Sequence, residues 1–294
     1  MKRKRNSASS IAVFVFMVLL LVGCANQGAA PTQQTQAPLP PQTATDTPSV
    51  PEQQPAPPEE PAPEPVELII GAAASLTDVT QDLAVVYEAA NSHVSLVFTY
   101  ASSGALQSQI EEGAPIDIFM SAALTQMHNL EGQGMIYGQS RNLLRNAIAL
   151  IVPADSQAEI NSFADATTVQ SIGLGDPETV PGGTRALETF TSLGIAEEIY
   201  DTSRAVLAPD IRTVLTWVEM GEVDAGVVFM TDAITSDQVR VVEIADSALH
   251  APSINPVGIV GRSPNVEEAQ RFIDFLFTDE ARTIFEQHGF SMYK

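Results

Sequence analysis

Cysteine, tryptophan and basic residues are all scarce in this chain. It has one cysteine and one tryptophan, and 14 lysines and arginines stand against 36 aspartates and glutamates. A single thiol, Cys24, excludes an internal disulfide and any cysteine-built zinc site. The four histidines, His93, His128, His250 and His288, lack metal-ligand spacing to one another, so each reads as a surface or capping residue and no metal cation is expected. The acidic balance argues against nucleic acid and against direct binding to anionic lipid. It says less about small anions, because surface charge is screened within about 10 Å and a buried anion can be held by backbone dipoles and hydroxyls. No apolar run reaches the roughly 20 residues of a membrane-spanning helix. A nucleophile elbow and a lysine-bearing phosphate loop are also missing, and Gly173-Leu174-Gly175 falls short of a dinucleotide fingerprint. Asp176 and Glu178 sit at a proline turn before a helix, where carboxylates serve as caps. No catalytic constellation emerges, and the chain reads as a non-enzyme.

What is present begins at the N-terminus. Lys2 to Arg5 are basic, and Ile11 to Val22 is an apolar run of 12 residues, which together read as a secretory signal. The run ends in Leu21-Val22-Gly23-Cys24, which matches the bacterial lipobox, in which the cysteine becomes the lipid-modified N-terminus. The alternative is an ordinary secretory signal with an incidental cysteine. Residues 25–65 hold 12 of the 20 prolines, with much Gln, Thr and Glu and no apolar periodicity. This composition reads as a disordered tether, which at about 3.1 Å per residue reaches roughly 100 Å. The expected plan is therefore a lipoprotein signal peptide (1–24), a tether (25–65) and a folded part from residue 66, held outside the cytoplasmic membrane by a lipid on Cys24.

The folded part alternates strands and helices, which implies α/β layers with a parallel sheet. Val66 to Ile70 reads as a strand, and Leu76, Val79, Leu83, Val86, Tyr87 and Ala90 follow with helical spacing. Between them lies Gly71-Ala72-Ala73-Ala74-Ser75-Leu76, with Ser75 expected at the helix N-cap and Asp78 completing a capping pattern. Val94 to Tyr100 is a second strand, followed by Ala101-Ser102-Ser103-Gly104 at the start of another helix. Both serines thus fall at the carboxyl ends of strands, where such sheets bind ligands. Asn146 to Pro153 reads as one long strand that crosses into a second lobe. There Pro181-Gly182-Gly183 and Asp210-Ile211 open helices. Pro256 to Val260 reads as the strand that returns, and Ser263-Pro264 as the start of a helix with proline first. The expected lobes are 66–146 plus 256–294, and 147–255, with a ligand cleft between them.

Taken together, these segments resemble the molybdate-binding proteins of ABC transporters, from Val66 to about Tyr293. The resemblance rests on Ala72-Ala73-Ala74-Ser75-Leu76, Ala101-Ser102-Ser103-Gly104, Gly113-Ala114-Pro115-Ile116-Asp117, Gly175-Asp176-Pro177-Glu178 with Val180-Pro181, Asp210-Ile211-Arg212, Gly226-Val227-Val228-Phe229 with Thr231-Asp232-Ala233, and Gly289-Phe290. It implies the two-lobe periplasmic-binding-protein architecture of type II and an oxyanion held by uncharged donors. Those donors fall on the hydroxyls of Ser75 and Ser103 and the backbone N–H groups of Gly182 and Ile211. The family commonly has a tyrosine hydroxyl donor where this chain has Phe229, a loss that water or Thr231 would have to replace. The implied ligand is molybdate, with tungstate indistinguishable by charge and size. Molybdenum enters only as the oxyanion, with no cofactor. The implied partner is the membrane permease of an ABC importer, and the implied state is a monomer. Two other readings stay open: a binding protein for another tetrahedral oxyanion such as sulfate, and a ligand-sensing module.

Overall fold

The computed structural model describes residues 64–294. The expected signal peptide (1–24), Cys24 and all but the last two residues of the tether (25–65) lie outside the described residues.

The fold is built on two mixed sheets with helices packed on them. β1 (Val66–Ala73) leads through a 3-10 turn, Ala74–Leu76, into α1 (Thr77–Ala90). β2 (Val94–Ala101), α2 (Ser103–Glu112), β3 (Ile118–Met120) and α3 (Leu124–Gly132) follow. β2 and β3 flank β1 in parallel, as the alternation requires. The chain then runs through β4 (Ile136–Asn146), β5 (Ile148–Pro153), β6 (Ile172–Gly175), α4 (Pro181–Ser192), α5 (Ala196–Tyr200), β7 (Ala205–Ala208) and α6 (Ile211–Glu219). It ends with β8 (Ala225–Phe229), α7 (Met230–Ala233), β9 (Val239–Ile244), β10 (Ser253–Val260), α8 (Val266–Leu276), α9 (Asp279–Gln287) and β11 (Ser291–Met292). The first sheet has the order β11-β4-β10-β3-β1-β2, and the second β7-β6-β8-β5-β9. The first lobe is thus made from the beginning and end of the described chain, and the second from its middle.

Four expectations need correction. The sheets are not wholly parallel: β10 is antiparallel to β3 and β4, and β5 is antiparallel to β8 and β9. The reason is directional, since β4 carries the chain toward the second lobe and β10 brings it back. The strand expected over Asn146–Pro153 is two strands in different sheets, broken at Ala147. The returning strand starts at Ser253, three residues before Pro256, because Ser253 to Asn255 continue the pairing with Asn146 to Leu144. Pro264 precedes α8 rather than opening it, and Asn265 takes the N-cap position. Ser263 instead donates to Asp117 Oδ1 (2.5 Å) and accepts from Asn265 N (3.0 Å).

Packing ties the two ends of the first lobe together. Tyr87 of α1 meets Phe272 of α8 edge-to-face, with ring centroids 5.0 Å apart. An aromatic pair of this kind contributes about 0.5–1.5 kcal/mol beyond its buried area. The Tyr87 hydroxyl donates to the buried Glu268 (2.9 Å), so neither polar group is left without a partner.

Candidate functional site

The register of β1 and β2 places the two serines side by side. Ala73 pairs with Ala101 at the ends of the strands, and Ser75 and Ser103 each come two residues later. The expected capping role of Ser75 is not found. The 3-10 turn intervenes, Leu76 takes the N-cap position of α1, and no side chain caps it. Thr77 Oγ1 donates to Ala74 O (2.7 Å), and Thr80 Oγ1 to Leu76 O (2.8 Å), so hydroxyls inside the helix tie down its first turn. Asp78, expected to complete the capping pattern, pairs instead with Arg212 of α6. Ser75 Oγ is buried with no hydrogen-bond partner. Leaving a buried hydroxyl unsatisfied costs about 1–3 kcal/mol, a cost that a ligand acceptor removes.

Ser103 is the first residue of α2 and fully buried. Its Oγ accepts from Ala122 N (2.9 Å), which leaves its own proton free to donate. Ser102 is the N-cap and accepts from Ala105 N (3.2 Å). The Gly104 N–H is already used, donating to Thr179 O across the cleft (3.0 Å).

The second lobe presents two helix starts to the same place. α4 opens with Pro181, which has no N–H, and Thr184 N is bonded to Val180 O (3.0 Å), so Gly182 and Gly183 carry the orphan donors of that turn. Gly182 sits tight against the cavity wall: a Cβ there would come 2.7 Å from Ile211 Cδ1 and 3.5 Å from Phe229 Cε2. α6 starts at Ile211 behind Asp210, which caps it as expected by accepting from Thr213 N (2.9 Å).

These elements line a small, partly open cavity of about 10 Å³, room for roughly one water molecule. Ala73, Ala74, Ser75, Ser102, Ser103 and Ala122 form one side, and Val180, Pro181, Ile211 and Phe229 the other. Of the five residues singled out from sequence, Ser75, Ser103, Ile211 and Phe229 line it directly; Gly182 is not in the lining, but it follows Pro181, which is, and packs against Ile211 and Phe229. Thr231 is not in the lining, and its Oγ1 instead accepts from Asn146 Nδ2 (2.8 Å). The small apolar walls, Ala73, Ala74, Ala122 and Val180, were not foreseen as lining. They carry no chemical signature, and only the position of Ala122 just past the end of β3 hinted at it. No lining side chain is charged, and the site offers hydroxyls and helix N-termini, a set suited to a small solute rich in acceptors.

The histidines stand apart from this site. His288 Nε2 is 2.8 Å from Asp82 Oδ2, and His93 Nε2 is 3.6 Å from Glu268 Oε2. No group of three His, Cys, Asp or Glu among the described residues is placed to hold a metal ion. Asp176 Oδ1 accepts from Glu178 N (2.9 Å) within its turn.

Known proteins share both sequence and architecture with the chain. Residues 68–291 match the family of bacterial extracellular solute-binding proteins. YvgL of Bacillus subtilis, named as an ABC transporter substrate-binding lipoprotein, is 39% identical over 227 residues, covering 77% of this chain and 86% of its own. The molybdate-binding protein ModA of Haemophilus influenzae is 34% identical over 231 residues, covering 76% and 90%. A solved structure described as the substrate-binding domain of a molybdenum ABC transporter from Clostridium difficile has a TM-score of 0.61 at 36% identity, covering 78% of this chain and 99% of its own. The two-lobe architecture is that of solved periplasmic binding proteins. The chain belongs to the bacterial extracellular solute-binding protein family, whose members bind solutes rather than transform them, and ModA molybdate-binding proteins are among its homologues.

Proposed function

We propose that this protein captures molybdate in the cavity between its lobes and delivers it to the membrane permease of an ABC importer. The observation that carries this reading is the Ser75 hydroxyl, buried without a partner in a cavity that has no charged lining. Ser75 and Ser103 donate from the first lobe, and the Gly182 and Ile211 N–H groups from the second, so the anion is shared by both lobes and binding favours closure. Fixed neutral donors hold a dianion without lysine or arginine. The lining has no carboxylate to accept a proton, so hydrogen phosphate has no partner for its O–H. Tungstate, equal in charge and nearly equal in size, binds as well. Each protomer supplies the whole set of donors, which fits a monomer with no cofactor. The relatives named as ABC transporter and molybdate-binding proteins support the transport role. Lipidation of Cys24 would hold the protein at the outer face of the membrane.

Titration calorimetry of the purified protein with molybdate, tungstate, sulfate and phosphate tests the reading. Heat with molybdate and tungstate is expected, along with a thermal shift equivalent to about 2.7 kcal/mol at 100 times the dissociation constant. Silence with every oxyanion would sink it. Ser75→Ala and Ser103→Ala each remove a hydrogen bond to a charged group, worth about 1.5–3 kcal/mol, so affinity should fall roughly ten- to a hundredfold. Unchanged affinity in both variants rejects the site.

Phe229 favours a second reading, a binding protein for another tetrahedral oxyanion such as sulfate, because its ring supplies a wall and no donor. Tighter binding of sulfate than of molybdate in the same titration would select it.

A further inference from the structure

We propose that Asp78 and Arg212 form a closure latch, an ion pair made only when the two lobes meet, which sets how fast a bound anion leaves. The proposal rests on the anion-cleft reading above. Asp78 lies in the first turn of α1, three residues after Ser75, and Arg212 is the second residue of α6, directly after Ile211. Each partner therefore rides on a segment that presents a proposed anion donor. The Arg212 guanidinium contacts the Asp78 carboxylate across the cleft. Among the described residues this is the only ion pair that joins one lobe to the other.

The guanidinium is aimed from within its own lobe. Arg212 Nε lies 2.7 Å from Oδ1 of Asp232, whose side chain is fully buried in α7, and Nη1 is 3.4 Å from Thr235 Oγ1. Opening the cleft withdraws Asp78 alone and leaves Arg212 paired with Asp232, so no buried charge is stranded. Closing the cleft costs little side-chain freedom, because the planar fork is already oriented. The remaining cross-lobe contacts, such as Gly104 N to Thr179 O and Asn146 Nδ2 to Thr231 Oγ1, are neutral. The latch therefore makes release of the anion sensitive to salt, although no charged side chain lines the anion site. Arg212 and Asp78 retain 26% and 40% side-chain exposure, so the pair is partly screened.

The test is the release of radiolabelled molybdate from the full chain after dilution, measured at pH 8 so that Asp232 stays ionised. Asp78→Asn should raise the release rate about two- to fivefold with the association rate unchanged. It should also remove the acceleration of release by salt expected of the wild type. Asp78→Glu, which keeps the charge, should restore slow, salt-sensitive release. Wild-type release rate and salt response in Asp78→Asn, with molybdate still bound, overturns the latch and leaves the site reading intact. An Asp78→Glu variant that behaves like Asp78→Asn overturns it as well, since Asp78 would then act by shape. Absence of molybdate binding in the wild type overturns both readings.

Discussion

Phe229 is buried and lines the cavity at the end of β8, close to Gly182 and Ile211. A hydroxyl added to this ring would add a donor to the lining of the proposed anion site. Phe229→Tyr should therefore tighten molybdate binding by roughly ten- to a hundredfold in calorimetry, the value of one hydrogen bond to a charged group. Equal or weaker binding would mean that the cavity is built around the phenyl ring. Asp232 gives a second single-residue prediction. Burial pushes its carboxyl up to about 7 from an ordinary 3.8, against the opposing pull of Arg212. Between those values the folded protein holds a proton that the unfolded chain has lost. Asp232 thus favours the fold on the acid side of that window, and its contribution falls as pH rises toward and through 7. Asp232→Asn should flatten this fall when melting temperatures are compared from about pH 4 to 8, and parallel curves would contradict the assignment. At this scale the sequence showed where Ser75 lies but not what its hydroxyl does. A 3-10 turn and a helix start use the same residue types, and the partner of Asp78, Arg212, lies 134 positions away in sequence.

The first turn of α2 rests directly on the loop before α4. A Cβ on Gly104 would lie 2.7 Å from Thr179 O and 2.8 Å from its Cα, both backbone atoms that cannot step aside. Alanine there improves the isolated helix by about 0.5–1 kcal/mol while obstructing closure. Gly104→Ala should leave the ligand-free melting temperature unchanged or higher and weaken molybdate binding by about tenfold, the range expected of an overpacked contact. Unaltered affinity would show that the lobes need not approach so closely. The helices and the parallel strands of the first lobe were legible from apolar spacing, and so were the Asp210 cap and the proline start of α4. β4 was not. Gly138, Gln139, Ser140, Arg141 and Asn142 face largely outward, so this strand lacks the apolar run that marks its neighbours. The break at Ala147 was hidden for the opposite reason, because Ala147 runs straight on into the apolar residues Ile148 to Val152.

Across the whole molecule, a formal charge of −22 surrounds a site proposed for a dianion. Within the Debye length, about 10 Å at 0.1 M salt, that field repels the ligand. The association rate for molybdate should rise as ionic strength increases from about 10 to 150 mM, as followed by stopped-flow mixing. A fall over the same range would reveal a local positive field at the cleft mouth that outweighs the net charge. Two lobes were legible from the sequence because two sets of alternating elements flank apolar strands. The unequal way in which they are joined was not. One connection is the single residue Ala147, clamped by its N–H to Asn146 Oδ1 (2.9 Å) and by its carbonyl to Met230 N (2.7 Å). The other is the run 245–252 between β9 and β10. The two connections are therefore as unlike as a pin and a cord. A residue added to the cord leaves the pin in place, while a residue added at the pin shifts Ser75 and Ser103 relative to Gly182 and Ile211.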